Sequence, residues 1–528
     1  MEEIYRELLE LKNVRQNLSA LRKWLKDGGA AEELKARIAG QEELFYSFLK
    51  SEDAKTRKNA ALLFGDLCYG SAALLLYQAY EREETLFVRS AYLEALLRYP
   101  AGELQEESAK AGLKEQEERL QEALLTGVLR RRTDGGTPAQ EPLGENKKHV
   151  AEELRALRQL RIRGEGIKSH SFDRAQGENR VLLITNRLHR EVVRRLVLEA
   201  YKSCAADKEP DSAPVVKLHP LGVSVETGDL VPLSMVRAYR ELCFLCPQGE
   251  PLVSRDPEEA AKSIAPWLAG LCRKYHGEGV FYFRMECRAP MTLEERSTFT
   301  RRLGVELEIA SHGRLVNSPG DYEVELRLVM NREGLFFPCV KFYTLPDARF
   351  SYRKHAVSTS LHPSVAALIM ELARPYLKEG AQLLDPFCGV GTLLIERDIA
   401  VPAGDKYGTD IFGDAIIFGR ENAALAGEKI NFIHRDFFDF RHAYRFDEII
   451  TDMPRRGKQT KEEMDALYEQ FFRYASGLLA PQGVIIMYTN EVGFVKKQLR
   501  LHREYRLLQE TLMQTKTGFS LMVIGLRG

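Results

Sequence analysis

The sequence has no excess of charge of either sign: its 528 residues include 76 Lys and Arg and 76 Asp and Glu. No global field therefore draws the chain toward nucleic acid or an anionic membrane, and any basic binding surface must be local. The sequence also has no apolar run long enough to span a bilayer, and its start, "MEEIYRELLELKNVRQ", is unlike a signal peptide. These absences predict a cytoplasmic protein outside the membrane.

Cysteine is sparse, with eight residues scattered along the chain, and this spacing excludes a dense disulfide scaffold. Cys243 and Cys246 have the spacing of metal ligands, and Cys272 with His276 would complete a set of four. The flanking residues are apolar, whereas a structural zinc site normally lies in a polar, glycine-bearing turn. We therefore predict buried thiols and no metal.

The first 105 residues show helical periodicity with many Glu and Lys pairs. Two segments, "AKTRKNAALLFGDL" (54–67) and "TLFVRSAYLEALLRY" (85–99), each place an arginine ahead of an apolar run and resemble HEAT-like repeats. An ordinary helical bundle is the alternative. Residues 106–175 are interpreted as a linker and a helix, because "RRRTDGGTPAQEPLGENKK" is rich in charge, Gly and Pro.

From about residue 178 the pattern alternates between strands and helices. Residues 176–250 and 251–348 each predict a small α+β unit, and the strands of the second alternate as a half-exposed sheet does. Residues 349–528 read as repeated strand–helix units. That region therefore predicts a doubly wound parallel sheet that binds its ligand at the carboxyl ends of the strands.

The stretch "QLLDPFCGVGTLLIE" (382–396) runs from a strand through a glycine turn into a helix. Such a turn brings backbone amides and a helix N-terminus to a ligand, and the absence of a following Lys-Ser or Lys-Thr excludes a P-loop. The next strand ends at Asp410, at the spacing where a carboxylate binds a ribose diol. Nicotinamide enzymes and S-adenosylmethionine enzymes share this feature, so both remain open at this point.

Two later strand ends favour S-adenosylmethionine. "INFIHRDFFDF" leaves Asp436 before Phe437, which suits an adenine amine and its ring. "FDEIITDMPRRG" ends a strand at Asp452, followed by Met453 and Pro454. A carboxylate oxygen and a backbone carbonyl that both accept from a base amine would direct the nitrogen lone pair at a methyl donor.

Five segments of the last 180 residues resemble the catalytic domain of THUMP-domain RNA methyltransferases, which modify the exocyclic amine of guanine in tRNA or rRNA. They are "DPFCGVGTLLIE", "GTDIFGDAI" with "GRENAALAG", "HRDFF", "FDEIITDMP" and "LYEQFF". The resemblance implies a Rossmann-like class I methyltransferase at 349–528, a THUMP-like RNA-binding domain at 251–348 and a ferredoxin-like domain at 176–250. It implies S-adenosylmethionine as the cofactor and structured RNA as the partner.

Carried over to this chain, the resemblance implies a role for each matching residue. The methionine end of the cofactor would contact Asp385, Phe387, Gly389, Gly391 and Thr392. Its ribose would be held by Asp410 with Ile411, and its adenine by Asp436 with Phe437. The target amine would be bound by Asp452 and Pro454.

The chain departs from the family pattern at Arg455, where the family has an aromatic residue that stacks on the target base. An arginine plane can itself stack on a base, so we expect activity with Arg455 in the catalytic set. The alternatives are a non-catalytic RNA-binding or assembly protein and a methyltransferase of DNA or protein. Tyr352, Arg353 and Lys354 are predicted to bind RNA, and the N-terminal helices to bind a protein partner.

The second α+β unit carries a further set of basic residues, for which we expect a local basic face. They are Arg284, Arg288, Arg301 and Arg302. The acidic neighbours Glu286 and Glu306 weaken this expectation.

Overall fold

The structure is a computed structural model that describes most of the chain. The described residues are 1–100, 107–130, 140–167, 169–173, 177–205, 213–246, 252–457 and 459–527. The chain forms two compact units, each built from two segments. The first comprises Met1–Asp173 and Gln248–Thr344, and the second Arg174–Pro247 and Leu345–Gly528.

The first unit begins with seven helices. They are α1 Glu2–Leu9, α2 Val14–Lys26, α3 Ala31–Ala39, α4 Glu42–Ser47, α5 Ala54–Leu67, α6 Ala73–Arg82 and α7 Leu86–Leu96. Helix α5 starts at an Asp53 cap whose carboxylate accepts from the N–H groups of Lys55 and Thr56. The helical N-terminal region predicted from the sequence is confirmed.

Helices α5 and α7 carry the two similar sequence segments and pack closely together. A Cβ at Gly65 would lie 2.6 Å from the Cα of Ala95, so only glycine permits this approach. The arginine of each segment bonds a buried carboxylate: Arg57 with Glu83, and Arg89 with Glu153. The two segments therefore use their arginines alike, while a HEAT-like repeat remains a prediction.

The predicted linker is folded wherever the structure describes it. Helix α8 (Glu107–Thr126) is followed by a hairpin of β1 (Val128–Arg130) and β2 (Gln140–Pro142), and then by helix α9 (Lys147–Glu165). Four of its apolar side chains join the core of the N-terminal helices: Leu120, Leu124, Val150 and Leu154. The linker prediction is therefore wrong for 107–130 and 140–150. Residues 131–139 of the quoted stretch "RRRTDGGTPAQEPLGENKK" and the predicted boundaries at 105/106, 175/176 and 250/251 lie outside the described residues.

Residues 177–246 of the second unit form an antiparallel sheet, and their described part also contains one α-helix and a short 3-10 helix, Val231–Met235. The elements are β3 Asn179–Ile184, α10 Arg190–Ala205, β4 Val215–His219, β5 Gly222–Thr227 and β6 Glu241–Phe244. The strand order is β4-β5-β3-β6. This arrangement agrees with the α+β unit expected here.

Residues 252–344 of the first unit form a second α+β segment. The elements are α11 Pro257–His276, β7 Phe281–Arg288, α12 Leu293–Ala310, β8 Leu315–Asn317, β9 Val324–Met330 and β10 Phe336–Phe342. Strand β7 pairs in parallel with β8 and β9, and β9 pairs antiparallel with β10. A capping box between Thr292 and Glu295 starts α12.

Residues 345–527 form the doubly wound sheet expected from the sequence. Its helices are α13 Pro363–Ala373, α14 Thr392–Ala400, α15 Gly413–Ala426, α16 Lys461–Leu478 and α17 Val492–Leu501. Its strands are β11 Leu383–Asp385, β12 Lys406–Asp410, β13 Asn431–His434, β14 Phe446–Asp452, β15 Leu479–Thr489, β16 Tyr505–Leu512 and β17 Ser520–Leu526. The strand order is β13-β12-β11-β14-β15-β17-β16, and the antiparallel pair predicted to close the sheet is present.

The cysteines discussed above are buried. Cys243, Cys246 and Cys272 are each at most 5% exposed, so the prediction of buried thiols is confirmed. His276 bonds the Cys272 carbonyl and the Thr344 hydroxyl within its own unit. The described residues contain no cluster of three or more His, Cys, Asp or Glu side chains suited to a metal ion. They also contain no helix that is both long and apolar enough to cross a membrane.

Candidate active site

Three aspartates lie at the carboxyl ends of adjacent strands. Asp385 ends β11, Asp410 ends β12 and Asp452 ends β14, while β11 pairs with both β12 and β14. Parallel strands bring their carboxyl ends to one edge of a sheet, so the three carboxylates converge there. The negative charges of Asp410 and Asp452 both act on Asp385, as expected for neighbouring groups.

Asp385 is a buried carboxyl group with one unused oxygen. Its Oδ1 accepts from the Phe387 N–H at 3.1 Å, whereas Oδ2 has no partner among the described residues. Burial raises the pKa of Asp385 well above its usual range, and the two neighbouring carboxylates add to this effect. An unpartnered buried oxygen is costly, so this one marks a position where a ligand donor would be stabilised.

The glycine turn after β11 is held against the end of β12. The Gly389 N–H donates to Oδ2 of Asp410 at 2.9 Å, and the Phe412 N–H donates to Oδ1 at 2.9 Å. Each carboxylate oxygen keeps a further lone pair for a ligand hydroxyl. Ile411, which follows Asp410, is 59% exposed and therefore accessible to a ligand.

Gly391 precedes helix α14 in a left-handed conformation, with φ +80°. A Cβ at this position would lie 2.6 Å from Cζ of Phe432, so both the conformation and the space require glycine. The hydroxyl of Thr392, the first residue of the helix, is buried and has no partner among the described residues. The turn thus combines a close approach of the Gly391 backbone to Phe432 with a buried hydroxyl of Thr392 that can still donate a hydrogen bond.

After β13, the side chain of Phe437 does not lie where the predicted adenine contact would need it. Asp436 is exposed, and its carboxylate accepts from the Phe438 N–H at 2.9 Å. The ring of Phe437 is only 1% exposed and packs in the core against Phe471 and Tyr474. Since this ring has no open face, its predicted adenine contact would require the ring to move.

Asp452 has a second unused oxygen at this edge of the sheet. Its Oδ1 is buried without a partner among the described residues, and Oδ2 lies 3.5 Å from a guanidinium nitrogen of Arg455. Burial raises the pKa of Asp452 to about 6, and the charge and hydrogen bond of Arg455 oppose this shift. The Met453 N–H donates to the Tyr488 carbonyl at 3.0 Å, which ties the "DMP" loop, including Pro454, to β15.

Arg455 belongs to a stack that the sequence reading missed. Its guanidinium lies 4.9 Å from the ring centre of Phe519, and Phe519 stacks on Tyr488 at 4.8 Å. The register of β17 against β15, with Ser520 opposite Thr489, places Phe519 beside the carboxyl end of β15. Only this strand register brings Phe519 to Arg455, and the local sequence around Phe519 does not reveal the register. The stack holds Arg455 next to Asp452.

The predicted RNA-binding residues separate into different environments. Tyr352 is 4% exposed, and its hydroxyl donates to Glu396 at 2.7 Å, so the prediction that its ring contacts RNA is wrong. Arg353 is half-buried, and burial lowers its pKa. Lys354 is exposed and lies 3.9 Å from Glu421. Of the three, Lys354 is the most accessible.

Of the four arginines expected to form a basic face on residues 252–344, two are paired with carboxylates and two are exposed. Arg284 pairs with Glu325 and lies 4.2 Å from the ring centre of Tyr322. Arg288 pairs with Glu286 at 2.7 Å. Arg301 and Arg302 are exposed on α12. Half of this set is therefore neutralised by neighbouring carboxylates.

Comparison with known proteins shows what the segment around this sheet is similar to. Residues 351–518 match the model of a family described as UPF0020, RMKL-like methyltransferase domain. The match contains the strand ends at Asp385, Asp410 and Asp452, and also Arg455. It ends one residue before Phe519. This segment is therefore similar to a methyltransferase domain, as the resemblance had predicted.

Two curated proteins and one solved structure are similar to parts of the chain. Over 237 residues it is 30% identical to the tRNA (guanine(6)-N2)-methyltransferase of Thermus thermophilus, covering 42% of this chain and 66% of that one. Over 131 residues it is 32% identical to the tRNA (guanine(10)-N2)-dimethyltransferase of Methanothermobacter thermautotrophicus, covering 24% and 38%. The chain thus spans less than two thirds of each curated relative. The crystal structure of TrmN from Thermus thermophilus is 22% identical, with a TM-score of 0.48, covering 67% of this chain and 100% of that one.

Proposed function

We propose that this protein transfers a methyl group from S-adenosylmethionine to the exocyclic N2 amine of a guanine in tRNA. The observation that carries the proposal is the buried, unpartnered Oδ1 of Asp452 at the end of β14, with Pro454 two residues later. The names of the two curated relatives, both tRNA guanine-N2 enzymes, support guanine and tRNA as the target. THUMP-like and ferredoxin-like RNA-binding domains and a cytoplasmic location are part of the same proposal.

The residues at the edge of the sheet suit the proposed cofactor. Asp410, oriented by two backbone N–H groups, has lone pairs left for a ribose diol. The unused oxygen of Asp385 and the unused hydroxyl of Thr392 suit the polar methionine end, and Gly391 lets the turn between them approach Phe432 closely. When bound, S-adenosylmethionine would supply an electrophilic methyl group on a sulfonium centre: its carbon–sulfur bond would break as the carbon–nitrogen bond forms, S-adenosylhomocysteine would leave, and the amine would lose one proton, for which the Asp452 carboxylate is the proposed acceptor. The role of the protein's own residues is to bind this cofactor and to orient the target base toward its methyl group.

Asp452 is proposed to orient the reacting amine. A base amine is a poor nucleophile because its lone pair is delocalised into the ring. The ionised carboxylate of Asp452 and the Pro454 carbonyl would each accept an N–H, which favours a tetrahedral nitrogen with its lone pair free to attack. Protonated Asp452 could no longer accept at both oxygens. Activity is therefore expected to need pH above about 6, the raised pKa of Asp452.

A second candidate function is RNA binding without methyl transfer. It is favoured by one observation, the contact of 3.5 Å between Arg455 and Oδ2 of Asp452, which places a cation on the carboxylate proposed to bind the base amine. If that contact persisted with RNA bound, the protein would bind RNA and leave it unmodified. The same geometry also suits an enzyme in which the incoming base displaces Arg455 from Asp452.

The proposed function is tested by transfer of radiolabelled methyl from S-adenosylmethionine to total small RNA from cells that lack the protein. DNA and protein are offered as acceptors in parallel. Label in RNA alone is the expected result. Label in DNA or protein would show that the protein methylates those molecules and would refute RNA as the substrate. Cofactor binding with no label in any acceptor would favour the non-catalytic candidate.

Replacing Gly391 with alanine is expected to weaken cofactor binding at least tenfold. The new Cβ meets Phe432 in a turn whose left-handed backbone alone costs a non-glycine residue about 1–2 kcal/mol. Isothermal calorimetry with S-adenosylmethionine measures the effect. Gly427→Ala is the matched control, because Gly427 has φ +73° but no atom within 4 Å of an added Cβ. Equal affinity losses in the two variants would show that strain alone, and not the site, is responsible.

Replacing Arg455 with alanine is expected to move the acidic limb of the activity profile to higher pH. The positive charge of Arg455 lowers the pKa of Asp452, so its removal allows protonation at a higher pH. Values of kcat/KM measured from about pH 5 to 8 would show the shift. Arg455→Lys, which keeps the charge, should shift the limb less. Arg455→Tyr tests base stacking: unchanged turnover and base preference would exclude that role.

A further inference from the structure

The N-terminal helices contain a groove that the proposed methyl transfer does not use. Its volume is about 850 Å³. It is lined by Arg15, Gln16, Ser19, Ala20 and Lys23 of α2, Lys55, Lys58 and Asn59 of α5, and Phe87 of α7. We call it the α2–α5 groove. It lies outside the 351–518 segment that matches the methyltransferase family.

The α2–α5 groove is positively charged in a chain whose net charge is zero. Its lining has four cationic side chains and no carboxylate. Within the described residues, none of the four makes an ion pair, although Asp53 is near enough to Arg15 for their charges to interact. A second groove in the same helical region, about 800 Å³, mixes Glu43, Glu52, Glu83 and Glu84 with three cations. Of these two grooves, the α2–α5 groove therefore has the excess of positive charge.

Local contacts give the groove a defined shape. The α2 residues Arg15, Ser19 and Lys23 follow one another at intervals of four, so they lie on one face of that helix. The Asn59 side chain donates to the backbone carbonyl of Arg15 at 3.2 Å and joins α5 to α2. The Lys58 ammonium lies 5.7 Å from the ring centre of the half-buried Phe87. These contacts fix the floor and leave the ends of the other cations exposed.

We propose that the α2–α5 groove binds the sugar–phosphate backbone of RNA. Lysine and arginine neutralise phosphates, while neutral donors such as Gln16 and Ser19 bond phosphate oxygens. An acidic protein segment would offer the same charge, but the half-buried ring of Phe87, which lines the groove beside the cations, suits a nucleotide better. The inference rests on the proposed RNA substrate and adds a second contact for it, far along the chain from Asp452.

The test removes the charge of the groove. In the full-length protein, Arg15, Lys23, Lys55 and Lys58 are together replaced by glutamine. The matched control replaces Arg6, Lys12, Lys26 and Lys35 by glutamine, four cations of the N-terminal helical region that do not line the groove. Fluorescence anisotropy with end-labelled bulk tRNA measures affinity across a series of salt concentrations. A labelled polyglutamate peptide is measured in the same way.

The groove variant is expected to lose roughly tenfold or more in tRNA affinity. A plot of log affinity against log salt concentration should become less steep by roughly three, since each of the four phosphate contacts contributes about 0.7–0.9 to the steepness. The control should change both quantities much less. Equal losses in the two variants, or no loss in the groove variant, would overturn the proposal. Loss of polyglutamate binding with unchanged tRNA binding would assign the groove to an acidic protein instead.

Methyl transfer separates this inference from the proposed function. With labelled tRNA methylation as the readout, the groove variant should show a raised KM for tRNA and an unchanged kcat, because the groove contributes binding and no chemistry. Wild-type protein that binds tRNA through the groove but transfers no methyl would refute the proposed function alone. Wild-type protein that transfers methyl, with a groove variant of unaltered KM, would refute the groove alone.

Discussion

Replacing Asp452 with alanine is expected to lower kcat for methyl transfer by about 10²–10³, the range observed when a preorganised charge-stabilising group is removed from an active site. The carboxylate ends β14 with one oxygen buried and unused, at the edge of the sheet shared with Asp385 and Asp410. The alanine variant keeps the cofactor contacts and loses the acceptor for the base amine. Steady-state kinetics with labelled S-adenosylmethionine measure the loss, and calorimetry checks that the cofactor still binds.

Two further variants make this result specific. Asp452→Asn keeps one acceptor oxygen and should lose less activity, and its rate should no longer fall below pH 6, because an amide does not titrate there. Asp439→Ala removes an exposed aspartate after β13 and should leave kcat unchanged. An Asp452→Ala enzyme with wild-type kcat would exclude Asp452 from the chemistry.

Replacing Arg397 with alanine is expected to destabilise the second unit by about 3–5 kcal/mol, the usual effect of leaving a buried charge without its partner. Arg397 in α14 and Glu448 in β14 are both at most 1% exposed and share two hydrogen bonds of 2.7 Å. Glu448 also accepts from the Lys378 N–H at 2.8 Å. Differential scanning calorimetry of the full chain should show one transition lowered by roughly 10 °C.

The double variant Arg397→Met, Glu448→Leu is the control for the Arg397 prediction. It removes both charges and keeps the volume, so it should be more stable than either single variant. Because Glu448 lies four residues before Asp452 on β14, activity of the single variant should fall together with its stability. A transition temperature unchanged in Arg397→Ala would contradict this prediction.

The edge of the catalytic sheet was predictable because its information is local. A strand, an acidic residue and a turn recur at "LLDPFCGVG", "YGTD" and "IITDMP", and a doubly wound sheet brings such ends together. The S-adenosylmethionine interpretation followed from two strand ends, those at Asp436 and Asp452. The positions of Asp385, Asp410 and Asp452 at this edge are given by the fold, while their roles and their contacts to ligands remain proposals.

The misreadings have a common physical cause, which is contact between distant parts of the chain. Tyr352 stands next to Arg353 and Lys354 and looks like an RNA-binding cluster, but its partner Glu396 is 44 residues away. The segment 107–126 looks like a linker because it is charged, yet Leu120 and Leu124 recur at helical spacing and are buried. Phe519 joins the Arg455 stack through the register of β17 on β15. Composition and local motifs do not contain this information.

The central claim is methyl transfer to the N2 amine of guanine, and identification of the methylated nucleoside tests it most directly. Small RNA labelled by the wild-type protein with methyl-labelled S-adenosylmethionine is digested to nucleosides and separated by chromatography with mass detection. We predict label in N2-methylguanosine, absent when Asp452→Ala replaces the wild type. Label in another nucleoside, or label that persists in the alanine variant, would contradict the account.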